Sequence, residues 1–402
     1  MSQATLRPGS AAEVVEAIRE ADGPLAIESG GGLAGLGRPA QASATLKLDR
    51  LTGVVEYSPT ELYATFRAGT PLAEARAVLA EKGQRLPFDP PDLTGLYGGA
   101  GPATIGGVVA AGLSGPARVA SGAMRDYLIG VRFVDGTGQS LHGGGRVMKN
   151  VTGYDLCKLT AGAFGGLGAI TEATFKVLPL APAERTLALI GLSDAEGQVA
   201  LAAAFKSPFE PIAAAHLPSE IAARTPALGR SEAATLLRLE AFPDSLDYRG
   251  EAIRSALPAG VEIVTLDGAE SEAVWAAIRD VACFAGADGC PLWRISTAPT
   301  AGPGVVAEIR SALDIEAYYD WAGGLIWLTA PADAPDAGAA IVRAAIGSAG
   351  GHATLMRAGE TVRAAIDVFQ PLSAPVLALT KGLKATFDPH GRLNPGRMYA
   401  GV

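Results

Sequence analysis

Cysteine is scarce in this sequence, with three residues in 402, at positions 157, 283 and 290, and no C-x-x-C spacing among them. The chain's own thiols therefore cannot hold an iron–sulfur cluster or a structural zinc, and the pattern predicts a disulfide-free, cytoplasmic protein. Histidine is limited to His142, His216, His352 and His390, none closely paired, so no local metal site can be assembled from them. Basic residues are in deficit, 33 against 41 acidic, a net charge of −8 that repels phosphate backbones and argues against a nucleic-acid partner. Nowhere do 18 consecutive apolar residues occur, and residues 1–12 lack the basic-then-apolar pattern of an export signal. A Walker A lysine is missing, as is a G-x-G-x-x-G opening a helix after the first strand, which disfavours ATP and a nicotinamide dinucleotide.

What is present in excess is glycine, 51 residues or about 13%, against about 7% in ordinary domains. With 49% apolar and 18% charged residues, the rest of the composition is that of a folded globular chain of two domains or one large one. The glycines cluster. Ser29 to Gly37 is too glycine-rich for a regular element, residues 98–122 hold eight glycines and overlap a stretch with no charge from Leu93 to Ala117, and Gly162, Gly165, Gly166 and Gly168 form a third group. A stretch so devoid of charge is buried, by protein or by a large ligand.

Around these loops the local grammar mixes helix and strand. Ser10 with Glu13 forms a capping box ahead of Val14, Val15 and Ile18, which predicts a surface helix over 10–21. Strands are expected at 24–28, 44–48 and 62–68, with a helix begun by Thr70 and Pro71 and ended by Gly83. Beyond Pro182 glycine thins out and ordinary periodicity begins. Strands at 186–191, 212–216, 235–241 and 262–266, with helices at 194–205 and 248–257, read as βαββαβ. A linking helix at 270–284 leads to a second such series, with strands at 292–297, 317–320, 325–329 and 353–356 and helices at 305–313 and 334–346. A final helix at 374–386 precedes a tail, Phe387 to Arg397, that reads as too polar and turn-rich for a core element. The expected domains are residues 1–182, 183–370 and a C-terminal segment, 371–402, returning to the first.

Consecutive glycines permit the positive φ angles and close approach that turn backbone amides into an anion nest for a pyrophosphate. One isolated triplet is more often a turn, but three clusters in one domain point to a cofactor.

At these residues a resemblance becomes specific. Gly30 Gly31 Gly32 with Gly35, Pro102 Ala103 Thr104 Ile105 Gly106 Gly107 with Gly112, and Gly165 to Glu172 resemble the FAD-binding domain of the vanillyl-alcohol oxidase and p-cresol methylhydroxylase (PCMH) type. Leu86 to Pro91, Ala110 to Pro116, Val147 to Asp155, Leu292 Trp293 Arg294 and Gly351 to Leu355 narrow it, and nearly the whole chain is similar to the FAD-binding E subunits of bacterial glycolate oxidases. The resemblance implies an α+β fold, a two-subdomain PCMH-type FAD-binding domain followed by an α+β cap with duplicated ferredoxin-like βαββαβ units. It also implies a flavoprotein D subunit and an iron–sulfur F subunit as partners, a small 2-hydroxy acid as substrate, and membrane contact only through the partners.

By the same resemblance, Ser29, Gly30, Gly31, Gly32, Leu33, Ala34 and Gly35, with Thr104, Ile105, Gly106 and Gly107, are expected to bind the pyrophosphate and ribityl region through backbone amides, and Pro102 and Ala103 to belong to the same cofactor site. Gly112, Gly165, Gly168 and Ile170 are expected to line the adenine and ring environment, with Lys149 and Tyr154 near the flavin face. Members that tether FAD covalently often carry a histidine where this chain has Gly32, so FAD is expected to be non-covalent.

Oxidation of an α-hydroxy acid needs a cation for the carboxylate and a base for the hydroxyl proton. Arg294 and His352 are of those types, and Asn394, in the tail, could hydrogen-bond the ring or substrate. Each residue could equally be structural, Arg294 in a salt bridge or against a tryptophan and His352 in a hydrogen bond. Related catalytic subunits carry a histidine-rich metal region that this chain lacks. That leaves metal-free oxidation here, an FAD that relays electrons while a partner does the chemistry (the reading the sparse histidines favour), or a scaffold that only retains the fold.

Overall fold

The computed structural model describes residues 4–99, 101–147, 153–286, 289–347 and 349–402. The chain forms two compact units: unit one comprises 1–114, 123–180 and 371–402, and unit two 115–122 and 181–370. The assignment of residues 115–122 to unit two is a correction, because a glycine-rich stretch carries no periodicity that would reveal which core it joins.

In unit one the helix Ala11–Arg19 buries Val14 and Ile18. Ser10 caps it, and the Glu13 carboxylate accepts from the Gly9 amide at 2.9 Å. Beside it, β1 (Ala4–Leu6), β2 (Leu25–Glu28) and β3 (Ala44–Lys47) make a parallel sheet in the order β1-β3-β2. β4 (Val54–Ser58) and β5 (Tyr63–Arg67) open a second sheet, and the helix Leu72–Ala80 leads to β6 (Gln84–Arg85). β7 (Leu128–Val134), β8 (Ser140–Gly144) and β9 (Ala169–Lys176) complete that antiparallel sheet in the order β4-β5-β9-β7-β8, while β10 (Leu178–Pro179) pairs with β6. Its core gathers Phe66, Phe88, Phe133 and Phe175, all fully buried. The strand at 54–58 was not expected, since it is exposed and lacks the alternation that marks a half-buried strand.

The tail corrects another expectation. Leu393 is fully buried and Asp388 is 2% exposed. Polar residues enter this core because their groups are satisfied: Asp388 accepts from the Arg392 and Leu393 amides at 2.9 and 2.8 Å and pairs with the Lys384 ammonium at 2.8 Å.

Unit two is built on one eight-stranded antiparallel sheet. Its strands are β11 (Ala183–Ile190), β12 (Ala213–Leu217), β13 (Ala234–Ala241), β14 (Ile263–Asp267), β15 (Leu292–Ser296), β16 (Glu316–Asp320), β17 (Leu325–Thr329) and β18 (His352–Arg357). The order is β14-β11-β13-β12-β16-β17-β15-β18, so each half arranges its four strands as fourth, first, third, second. The halves meet edge to edge where His216 faces Tyr319. Helices Asp194–Lys206 and Pro243–Arg254 serve the first half, Gly302–Arg310 and Ala339–Gly347 the second. The second of these begins five residues before its expected start because Pro243 takes the first helical position, where its missing N–H costs nothing. Among the described residues no helix is long and apolar enough to cross a membrane.

Candidate functional site

An open cleft runs through unit one. Its walls come from the loop after β2, the segments 102–104 and 106–108, the end of the following helix, the turn at 164–165 and the start of β9. β2 delivers its loop to the cleft because Leu25 is pinned in the core while Ser29 anchors its hydroxyl on the Ala68 carbonyl at 2.9 Å.

The glycines of this loop are first a matter of packing. A Cβ on Gly30 would lie 2.1 Å from the Pro102 oxygen, one on Gly32 2.5 Å from the Thr94 methyl, and one on Gly101 1.9 Å from the Gly30 oxygen. Two loops thus interlock backbone to backbone, as only glycine allows. That interlock leaves donors over. Among the described residues, none accepts a hydrogen bond from the amides of Gly30, Gly31, Gly32 or Leu33, whereas Ala34 and Leu36 donate to Gly31 and Leu33 at 3.0 Å each. A run of adjacent amides without acceptors among the described residues, with Gly31 at φ +86°, has the donor pattern that an anion nest requires.

The second glycine loop corrects the sequence reading. The amides of Ile105 and Gly106 already donate to Thr70 and Ala68 at 3.0 and 2.7 Å, and that of Gly107 to the Thr104 hydroxyl at 3.2 Å. Thr104 is the N-cap of the helix Ile105–Ala111, so these donors are consumed in starting it. The loop supplies surface to the cleft, through Pro102, Ala103, Thr104, Gly106 and Gly107, while the donors come from Gly30 to Leu33.

Asn394, Gly165, Gly168 and Ile170 line the cleft as well. Asn394 accepts from the Ile27 amide at 2.7 Å and donates to the Phe164 carbonyl at 2.6 Å, so its side chain holds the wall together. Lys384, nearly buried, donates to the Gly166 carbonyl at 2.8 Å and ties the same turn to the last helix, Ala374–Phe387. Two charged lining residues were not singled out from sequence. Glu28 ends β2, and Arg397 donates to the Ala34 carbonyl at 2.9 Å beside the unsatisfied amides. For Arg397 the available signal was its place in the tail with Asn394.

Other expected cofactor residues are placed elsewhere. Gly35 packs against Tyr97, where a Cβ would lie 2.5 Å from the ring. Ile105 is fully buried in the core. Gly112 closes its helix in the left-handed conformation, φ 66°. Tyr154 is 91% exposed and does not line the cleft. Lys149 lies outside the described residues.

Arg294 and His352 belong to unit two. Arg294, on β15, stands opposite Thr354, and His352 opposite Ser296, so all four share one face of the sheet. The guanidinium of Arg294 sits 4.9 Å from the centroid of the Trp321 ring. Burial, then the charge of Arg118, pull its pKa down to about 10. Burial, then Arg294 and Arg118, hold the His352 imidazole below its usual value, which favours the neutral form. No group of metal-ligating side chains occurs among the described residues.

Residues 2–144 match the family described as FAD binding domain. The chain is 37% identical to glycolate oxidase subunit GlcE of Escherichia coli strain K12 over 94% of its own length and 93% of that protein's. It is 31% identical to glycolate oxidase subunit GlcD of Bacillus subtilis strain 168, over 40% of this chain and 32% of that one. Among solved structures, substrate-bound p-cresol methylhydroxylase superimposes with a TM-score of 0.73 at 14% identity, covering 98% of this chain and 88% of the other.

Proposed function

Because the chain belongs to the family of the GlcE subunits of glycolate oxidase, we propose that it is the FAD-holding subunit of a complex that oxidises glycolate, a 2-hydroxy acid, to glyoxylate. The observation that carries this reading is the cleft of unit one, whose four adjacent amides have no acceptor among the described residues. That donor set suits the diphosphate of a dinucleotide. Glu28 offers an acceptor for sugar hydroxyls, and the apolar stretch from Val108 to Leu113 suits a flat ring system. Gly32, in the place of a histidine, leaves FAD bound without a covalent tether at that position.

FAD, when bound, supplies the two-electron acceptor. The chain's own residues hold and orient. The amides of Gly30 to Leu33 bind the phosphates, with Arg397 adding positive charge beside them. Gly165, Gly168 and Ile170 form the wall that Asn394 and Lys384 keep in place. In unit two, Arg294 meets the substrate carboxylate and an imidazole nitrogen of His352 takes the hydroxyl proton, its lowered pKa keeping that nitrogen free to do so. We read the two halves of the eight-stranded sheet as duplicated ferredoxin-like units and unit two as the cap.

The three cysteines cannot hold a cluster, so the electrons leave through partners: a D flavoprotein and an F iron–sulfur subunit. The complex is cytoplasmic and meets the inner membrane through those subunits. The test is an anaerobic absorption spectrum of the purified chain, alone and with its partners, before and after glycolate. A flavin band bleached by glycolate in either sample is the expected result, and bleaching in the isolated chain would place substrate oxidation in this subunit. A colourless chain that still assembles would overturn the reading.

A further inference from the structure

Resting on the reading that the cleft of unit one holds FAD, we propose that Phe164 is a cofactor-contact residue, its side chain set against a planar heteroaromatic ring of FAD and its backbone strained to put it there. Phe164 lines the cleft and is half-buried. Its φ is 51°, in the left-handed region. For a bulky residue that conformation is an outlier, because the Cβ crowds the following carbonyl oxygen, and it persists only where surrounding contacts over-determine it.

Those contacts are in place. The Phe164 amide donates to the Ala110 carbonyl and the Gly162 amide to that of Val109, each at 2.9 Å, which fastens the turn to the helix Ile105–Ala111. From the tail, Asn394 donates to the Phe164 carbonyl at 2.6 Å, and from the last helix Lys384 donates to that of Gly166 at 2.8 Å. Elements distant in the chain thus hold this turn in one shape. Gly162 and Gly165, with φ of 79° and 71°, meet the left-handed demand without strain. Position 164 lies between them, makes the same demand and carries phenylalanine. The other described cleft residue besides glycine with a left-handed backbone is Asn394, φ 43°, a residue type that adopts it readily.

Core packing does not explain why that side chain is kept. Among the described residues, neither the core gathered on Phe66, Phe88, Phe133 and Phe175 nor that around Val14 and Ile18 includes Phe164, and it is not one of the half-buried hydrophobic residues packed against either. The cleft beside it is apolar, since Ala110 accepts its amide and Ala111 and Leu113 line the same cleft. An aromatic side chain there offers a rigid planar face, which stacks on heteroaromatic rings. FAD has two such rings, the isoalloxazine and the adenine, and Phe164 suits either by the same chemistry.

The experiment takes the purified full chain, freed of flavin, and measures two quantities on each variant: the urea midpoint, and the affinity for added FAD followed by its fluorescence. Phe164→Gly removes the ring and the strain together, so we expect its midpoint to hold or rise while FAD affinity falls by about tenfold or more. Phe164→Leu keeps the strain and loses the ring; it should bind FAD as weakly without any gain in midpoint, and Phe164→Tyr should bind as the parent does. A midpoint that falls in Phe164→Gly means that the side chain serves the fold, and overturns the proposal. Parental FAD affinity in Phe164→Gly or Phe164→Leu overturns it as well. Titration with FMN and with ADP separates the two rings: weakened FMN with unaltered ADP places Phe164 at the isoalloxazine, and the reverse places it at the adenine. An equal loss of both, the mark of a disturbed phosphate site, overturns the ring contact. If the parent itself takes up no FAD, the reading of the cleft fails first, and the parent's own titration shows this apart from any variant.

Discussion

The side-chain oxygen of Asn394 accepts the amide of Ile27 at 2.7 Å, across 367 residues of sequence, and so joins the tail to the strand that delivers the first glycine loop. The same side chain donates to the Phe164 carbonyl, and its own backbone is left-handed, φ 43°, a conformation asparagine tolerates better than most residues. Asn394→Ala removes both hydrogen bonds and strains the turn, at an expected cost of about 2 kcal/mol or more, read as a lowered urea midpoint and as FAD lost on gel filtration.

Neighbouring glycines in the second loop are predicted to behave differently. A Cβ on Gly106 would lie 2.8 Å from the Ala68 Cβ and 2.9 Å from its carbonyl oxygen, so Gly106→Ala should destabilise the fold by about 1–3 kcal/mol. On Gly107 the nearest atom is the Thr104 hydroxyl at 3.2 Å, and the position lines the cleft. It is also the third residue of its helix, where a carboxylate is favourable. Gly107→Asp should therefore keep its thermal midpoint and lose FAD, and an Asp variant with full flavin content would sink the assignment of this cleft.

Lys384 and Asp388 form a nearly buried ion pair at 2.8 Å. Removing one partner leaves the other charge buried and uncompensated, so Lys384→Met is expected to cost about 3 kcal/mol in equilibrium unfolding. The double variant Lys384→Met with Asp388→Asn should recover part of that loss. No recovery would mean that the Lys384 bond to Gly166, rather than the ion pair, carries the effect.

The seam of the eight-stranded sheet gives a pH dependence. Burial by itself would raise the Asp194 pKa, but hydrogen bonds from His216 and Tyr319, with the charge of Arg310, outweigh it and hold it at about 2. A folded pKa below the unfolded value of about 3.9 contributes stability that is present above that value and lost as pH falls towards 2. Acid unfolding monitored by circular dichroism should show this loss in the parent and a shallower acid limb in Asp194→Asn.

The glycine loops, the helix capped by Ser10 and the strand–helix series of the second half were legible in sequence because glycine excess, capping residues and apolar periodicity are local signals. So was the family, since those loops recur in order along the chain. The roles of individual glycines were not legible. Gly30, Gly32 and Gly106 look alike in sequence, yet the first two, in one interlocking loop, retain amides without acceptors, while the Gly106 amide is spent on Ala68. Which amides are left over depends on which carbonyls lie opposite, a property of the assembled backbone.

Sequence by itself determined the mixed α/β class of fold, because that rests on composition, spacing and local pattern, and the kind of cofactor through the family that the glycine loops resemble. Only the tertiary structure decided that the polar tail is a core element, that residues 115–122 join unit two, and that Arg118 and Arg294 share one indole. Each of these is a meeting of groups far apart in the chain, and burial and charge balance depend on distances in space that no local pattern records.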